Sequence, residues 1–363
     1  RHELDATALV IHTSGTTSAP RPVQLTYGNV LWSALGSAVA LGLDPRERWL
    51  CALPLSHVGG LSILLRSTIY ATSAIVHERF DTEAVLRALN AGEATLVSLV
   101  ATTLARLLDA GLQRPPALRC ALTGGGPVPG ALLARAWRAG VPVSLTYGLT
   151  ETCSQATTTP LAAAFAHEQP AHEERAAENS PGGAPTELSE PNELNTAPPD
   201  EPSRPQEPNA GPPLFCTRLR IAPDGEILVR GPTVAPAAPA EDGWLHTGDL
   251  GELDADGALR VRGRKADTIV SGGENVAPAE VEAVLESHPG VLEAAVIGRP
   301  DERWGEAVAA IVVARPGAEL DLAQLRAHCA ARLAPFKVPK SLTLADAPLP
   351  RTRSGKLQRR ELA

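Results

Sequence analysis

Residues 8–23 read ALVIHTSGTTSAPRPV. The first six, ALVIHT, form an apolar run that predicts a strand buried on both faces. A turn follows at once, TSGTTSAPRPV from Thr13 to Val23, and its first six residues are all Ser, Thr or Gly. Glycine lets main-chain N–H groups close on an anion, and hydroxyls add donors without adding charge. A loop built this way after a strand suits a phosphate. The spacing is not the GxxxxGK[ST] of the Walker loop. Taken alone, an ordinary polar turn accounts for it equally well.

Working outward from that strand and loop, apolar strands and helical stretches alternate as far as Leu145. Helical spacing opens at Thr26, and Asp81 is placed to cap the helix in DTEAVLRALNAG. Repeated strand–helix units of this length predict a mostly parallel sheet flanked by helices, hence an α/β fold. The alternation stops at 163–213, a stretch of Glu, Pro, Asn and Ala that predicts a disordered insert. LFCTRLRI and GEILVRG then alternate as antiparallel strands around the DG pair at 224–225. Beyond Arg264, PAEVEAVLESHPG and DLAQLRAHCAARL predict two helices, with a strand pair in VLEAAVIG and AVAAIVVA. This small C-terminal α+β domain follows a large N-terminal one.

The bulk numbers agree with two domains: 363 residues, 44% hydrophobic and 20% charged. A net charge of −8 and only 3% aromatics argue against a nucleic-acid partner. The most apolar stretch, LSILLRSTIYATSAIV, is broken by Arg66, so no membrane insertion is expected. Five scattered cysteines without a CxxC pair predict neither disulfides nor a zinc site, and a cytoplasmic location. With no Met and Arg at position 1, a natural start upstream of Arg1 is expected. There are only four lysines, which gives each one weight.

Six further segments follow the opening loop: LPLSHVGGL (53–61), LTGGGPVP (122–129), SLTYGLTET (144–152), GWLHTGDLG (243–251), RGRKADTIVSGGENVAPAEVE (262–282) and PRTRSGKLQ (350–358). In this order the set resembles the adenylate-forming superfamily of acyl-CoA synthetases, luciferases and peptide-synthetase adenylation domains. PLSHVGGLSILLRSTIYAT is most similar to the o-succinylbenzoate–CoA ligases of menaquinone biosynthesis. The resemblance runs from about Ala6 to the C-terminus, apart from the insert.

The resemblance implies roles for particular residues. Thr13, Ser14, Gly15, Thr16 and Thr17 would hold the β- and γ-phosphates of ATP. Ser18 stands where the family has Gly, and Arg21 where it has Lys. Gly124, Gly125 and Gly126 would let the backbone approach adenine. Tyr147 would lie against the base, with Gly148 beside it, Thr150 near the α-phosphate and Glu151 on Mg²⁺. Asp249 would bind the ribose hydroxyls, with Arg264 reaching ribose or phosphate. His57 would wall the acyl pocket. Arg66 interrupts an apolar helix, so it pairs either with a substrate carboxylate or with a structural Asp or Glu. Gly272 and Gly273 would let the pantetheine arm of coenzyme A pass. Lys356 would bridge the carboxylate and the α-phosphate.

The implied reaction activates a small-molecule carboxylate with ATP, Mg²⁺ and coenzyme A. Rotation about a hinge at 263–267 would carry domain 268–363 against domain 1–262. Transfer to a carrier protein, or a non-catalytic nucleotide-binding relic, are the alternatives. The sequence leaves a homodimer open.

Overall fold

The computed structural model describes residues 3–13, 21–161, 208–352 and 357–362. Strands β1 (Thr7–Thr13) and β2 (Arg21–Thr26) pair antiparallel, with Thr13 opposite Arg21. This corrects the expectation that the first strand is buried on both faces. Ile11 is its one buried residue, packed with Val23, Leu25 and Val30. Among the described residues β1 pairs with β2 alone, and most of its apolar run stays partly exposed. A short apolar run does not reveal how many neighbours a strand will have.

Thr26 ends β2 and caps α1 (Tyr27–Leu41). Its hydroxyl accepts from the Asn29 N–H, and the Asn29 side chain accepts from the Thr26 N–H. These two bonds satisfy orphan donors of the first turn. The strand–helix units follow as β3 (Arg48–Cys51), α2 (Val58–Tyr70), β4 (Ser73–Val76), α3 (Thr82–Asn90), β5 (Leu96–Leu99), α4 (Ala101–Asp109), β6 (Cys120–Thr123), α5 (Gly130–Arg138), β7 (Val143–Tyr147) and β8 (Thr157–Thr158). The Asp81 carboxylate caps α3 by accepting from the Ala84 N–H. These strands form a sheet of order β4-β3-β5-β6-β7-β8, parallel throughout except at β8. Leu50, Val97 and Ala121 in the strands meet Leu89, Leu104 and Leu107 of the helices in one core. Burying each such Leu contributes about 1.5–3 kcal/mol.

Part of the expected disordered insert is ordered. Residues 162–207 lie outside the described residues, but 208–213 pack along β8. The Thr157 hydroxyl donates to the Ala210 carbonyl at 2.8 Å, and the Ala210 N–H donates to the Leu259 carbonyl at 2.7 Å. Edge-strand groups supply the partners that composition alone could not foresee.

β9 (Arg218–Ile221), β10 (Glu226–Arg230), β11 (Leu245–Leu253) and β12 (Leu259–Arg264) make an antiparallel sheet in the order β12-β11-β10-β9. The C-terminal elements are β13 (Ile269–Ser271), β14 (Glu274–Val276), α6 (Pro278–Glu286), β15 (Val291–Asp301), β16 (Gly305–Ala314), α7 (Leu322–Ala330) and β17 (Ser341–Leu344). β15 and β16 are apolar on both faces. Val296, Val308 and Val312 face Val281, Leu285 and Leu325 of the helices, while Ile297, Ile311 and Val313 pack with Leu349. A strand covered on both sides needs no polar alternation, which accounts for the unbroken AVAAIVVA. All five cysteines are free. Among the described residues no helix is long and apolar enough to cross a membrane.

Candidate active site

Residues 124–126 and 147–151 lie at the carboxyl ends of β6 and β7, where open α/β sheets bind ligands. Gly124, Gly125 and Gly126 follow β6 directly, and Tyr147 closes β7. Gly148 comes next. A Cβ there would lie 1.6 Å from the Ser154 carbonyl oxygen, so no other residue fits without moving the backbone. Thr150 and Glu151 begin a 3₁₀ turn, Thr150–Thr152. It ends in Cys153 at φ 53 and Ser154 at φ 94, left-handed conformations unusual for side-chain-bearing residues. Two strained residues in succession mark a segment held by its surroundings. The Glu151 carbonyl takes the Ala235 N–H at 2.8 Å.

β11 and β12 bring Asp249 opposite Arg264. Asp249 is 6% exposed, and both of its oxygens are engaged. The Tyr147 hydroxyl donates to Oδ2 at 2.8 Å, and Arg264 Nε reaches Oδ1 at 2.7 Å. The Asp249 N–H is held by the Thr247 hydroxyl at 3.1 Å. Burial, and then the Asp249 charge, push the Tyr147 phenol well above its ordinary range, so it stays a donor. A phenol, a carboxylate and a guanidinium are thus wired together across β7, β11 and β12.

Arg66 is 2% exposed on α2. Among the described residues no Asp or Glu pairs with it. Arg66 Nη2 donates to the Ser33 hydroxyl at 3.1 Å, and that hydroxyl donates to the Cys153 carbonyl at 2.6 Å. The guanidinium carbon stands 5.8 Å from the centre of the Trp49 ring. Nε is buried without a partner, as are the Ser37 and Ser67 hydroxyls. Burial pushes the guanidinium down from its ordinary value. Through Ser33 and Cys153, Arg66 is hydrogen-bonded to the turn that carries Glu151. Sequence reasoning missed Ser33. Its only signal was a hydroxyl within α1, a helix without a charged residue.

His57 is the N-cap of α2 and half-buried. Thr13 and Arg21 face each other across the ribbon, the Thr13 hydroxyl donating to the Arg21 carbonyl at 3.3 Å. Ser14, Gly15, Thr16, Thr17 and Ser18 lie outside the described residues, as does Lys356. Gly272 and Gly273 form the β13–β14 turn at φ 62 and φ 86, the combination a two-residue hairpin requires. Trp304 packs over Gly272, whose added Cβ would stand 2.6 Å from the ring. Turn geometry therefore accounts for both glycines without a ligand. Among the described residues no group of three or more His, Cys, Asp or Glu could hold a metal ion.

The sequence matches the AMP-binding enzyme family over residues 1–237 and the AMP-binding enzyme C-terminal domain over residues 280–356. A 2-succinylbenzoate–CoA ligase of Bacillus subtilis is 40% identical over 379 aligned residues, taking in 99% of this chain and 69% of that protein. The fold matches the o-succinylbenzoate CoA synthetase (MenE) of Bacillus subtilis in complex with the acyl-adenylate intermediate OSB-AMP. The TM-score is 0.81 at 39% identity, covering 99% of this chain and 70% of that one. A double mutant of the same enzyme, bound with its product analogue OSB-NCoA, matches at the same identity and coverage with a TM-score of 0.59.

Proposed function

This chain belongs to the AMP-binding enzyme family, and from that premise we propose that it is an ATP-dependent ligase that converts o-succinylbenzoate to its coenzyme A thioester. The observation that carries this reading is the identity of 40% to 2-succinylbenzoate–CoA ligases across 99% of the chain. The wired Tyr147–Asp249–Arg264 group supports it, being suited to a nucleoside.

In the first half-reaction a carboxylate oxygen attacks the α-phosphorus of ATP and pyrophosphate leaves. Such chemistry rests on positioning and on neutralising charge. Tyr147 and the 124–126 loop hold the base, and Asp249 exchanges its internal donors for ribose hydroxyls. Residues 13–17 and Arg21 take the polyphosphate. Mg²⁺ is hard and commonly takes one carboxylate plus phosphate oxygens, which fits the single Glu151 and the lack of a larger acidic cluster among the described residues. Lys356 neutralises the reacting oxygens. His57 borders the acyl group.

Arg66 answers the carboxylate of o-succinylbenzoate that does not react. A buried guanidinium with an unpartnered Nε and no carboxylate partner among the described residues is a site short of one anion. In the second half-reaction the coenzyme A sulfur attacks the acyl carbon and AMP leaves. A hinge at 263–267 between 1–262 and 268–363 serves both steps in turn. The separate apolar cores on the C-terminal sheet support this division.

The test is to incubate the protein with ATP, Mg²⁺, coenzyme A and o-succinylbenzoate. The expected result is AMP and thioester in equal amounts, dependent on the acid. AMP release without consumption of coenzyme A would reassign the acceptor. Nucleotide binding without turnover would make the chain a non-catalytic binder.

A further inference from the structure

Lys265 opens the 3₁₀ turn Lys265–Asp267 that joins β12 to β13. Its ammonium lies 2.6 Å from Asp224 Oδ2 and 3.1 Å from Glu226 Oε2. Both carboxylates belong to the turn between β9 and β10 and the start of β10. Asp224 is half-exposed, whereas the Glu226 side chain is only 9% exposed. The other Glu226 oxygen accepts from the Gly248 N–H at 2.9 Å, and Gly248 immediately precedes Asp249. The His246 ring also faces Glu226 at 3.6 Å and Asp242 at 3.3 Å. One buried carboxylate therefore spans two places: the turn that presents Asp249 and the junction leading into the C-terminal elements.

This chain superposes differently on two solved forms of the Bacillus relative, with a TM-score of 0.81 on the adenylate complex and 0.59 on the double mutant bound with the product analogue. At the same identity and coverage, this chain follows the adenylate-bound form and departs from the form bound with the product analogue. The junction described above is the junction of the first arrangement.

We infer that Lys265, held by Glu226 and Asp224, is a latch that keeps the junction in the arrangement for adenylate formation, and that Glu226 links this latch to the turn carrying Asp249. The inference rests on the ligase reading above. Lys265 is a positioning residue and touches no reacting atom. Its partly exposed ion pairs are weak enough to open in every catalytic cycle. Losing them shifts a two-state equilibrium by about three- to tenfold. Lys265→Arg keeps the charge and Lys265→Gln removes it. Asp224→Asn weakens the latch from the exposed side and leaves Glu226 intact.

Two half-reactions and one structural readout test the latch. The first is single-turnover pyrophosphate release from ATP and o-succinylbenzoate. The second is thioester formation from supplied acyl-adenylate and coenzyme A. Lys265→Gln is expected to slow the first about three- to tenfold and to leave the second unchanged or faster. Lys265→Arg restores the first, and Asp224→Asn follows Lys265→Gln with a smaller effect. Equal slowing of both steps, or no change in either, overturns the latch. The structural readout is trypsin cleavage at Arg262 and Arg264, which should quicken in Asp224→Asn. An unchanged cleavage rate overturns the latch whether or not the chain turns over. Wild-type protein that releases no pyrophosphate overturns the ligase reading instead, and cleavage still decides the latch.

Discussion

Asp249 and Arg66 are both charges buried to a few per cent exposure, yet the fold treats them in opposite ways. Asp249 sits on β11 between Tyr147 of β7 and Arg264 of β12 with each oxygen engaged, one by a phenol and one by a guanidinium. Arg66 sits on α2 against α1 with a neutral hydroxyl, the Trp49 ring and an unpartnered Nε. A buried charge that lacks its counter-charge costs several kcal/mol. The lesson is that Asp249 is answered at rest and, on the ligase reading proposed above, would exchange partners to bind, whereas Arg66 is incomplete at rest and would gain from an anion.

The sharpest way to break this contrast is Arg66→Met. Adenylate formation from o-succinylbenzoate should fall about 10²–10³-fold, by analogy with removing one donor from an oxyanion site. The melting temperature should hold or rise, because an apolar side chain replaces an uncompensated ion. A clear drop in melting temperature would mean that Arg66 is already neutralised within the protein. Asp249→Asn probes the other side. It keeps an acceptor for Tyr147 and loses the ion pair with Arg264. Its KM for ATP should rise about tenfold, as loss of a charge-assisted bond predicts. Here the melting temperature should fall by a few degrees, about 1 kcal/mol in a chain of this size. If Arg66→Met and Asp249→Asn shift stability in the same direction, the contrast fails.

Glu286 supplies a third case and the smallest effect. This half-buried carboxyl is pushed up to about 7, first by burial and then by the neighbouring Glu282. Its pKa in the folded chain exceeds its unfolded value, so its contribution is fully present below pH 4.5 and is lost as pH rises towards 7. Thermal melts between pH 5 and 7 should show that decline, on the order of 1 kcal/mol given its partial exposure. Glu286→Gln should flatten it. A slope unaltered in that variant would assign the decline to other groups.

Much of the candidate site's layout was legible before any coordinates. Tyr147, Gly148, Glu151, Asp249 and Arg264 stand in short strings whose order is distinctive, and the caps at Thr26 and Asp81 follow from local hydrogen bonding. Other features were not legible. The unbroken apolar run in ALVIHT overstated the burial of β1, because a run does not count a strand's neighbours. Residues 208–213 looked unable to fold by composition, and they are ordered by β8, which lies about fifty residues earlier. Gly272 and Gly273 also answer to a hairpin turn, and Gly272 to the packing of Trp304, a requirement the motif alone does not show.

The sequence by itself determined the local pieces: the strand–helix alternation, the caps, the order of the motifs and, through them, the family. Only the tertiary structure decided which charges are answered inside the protein. Tyr147 and Asp249 are 102 residues apart, and Lys265 and Glu226 are 39. Hydrogen bonds and ion pairs act over about 3 Å, so partners are chosen by how distant segments pack. Spacing along the chain carries no record of that choice.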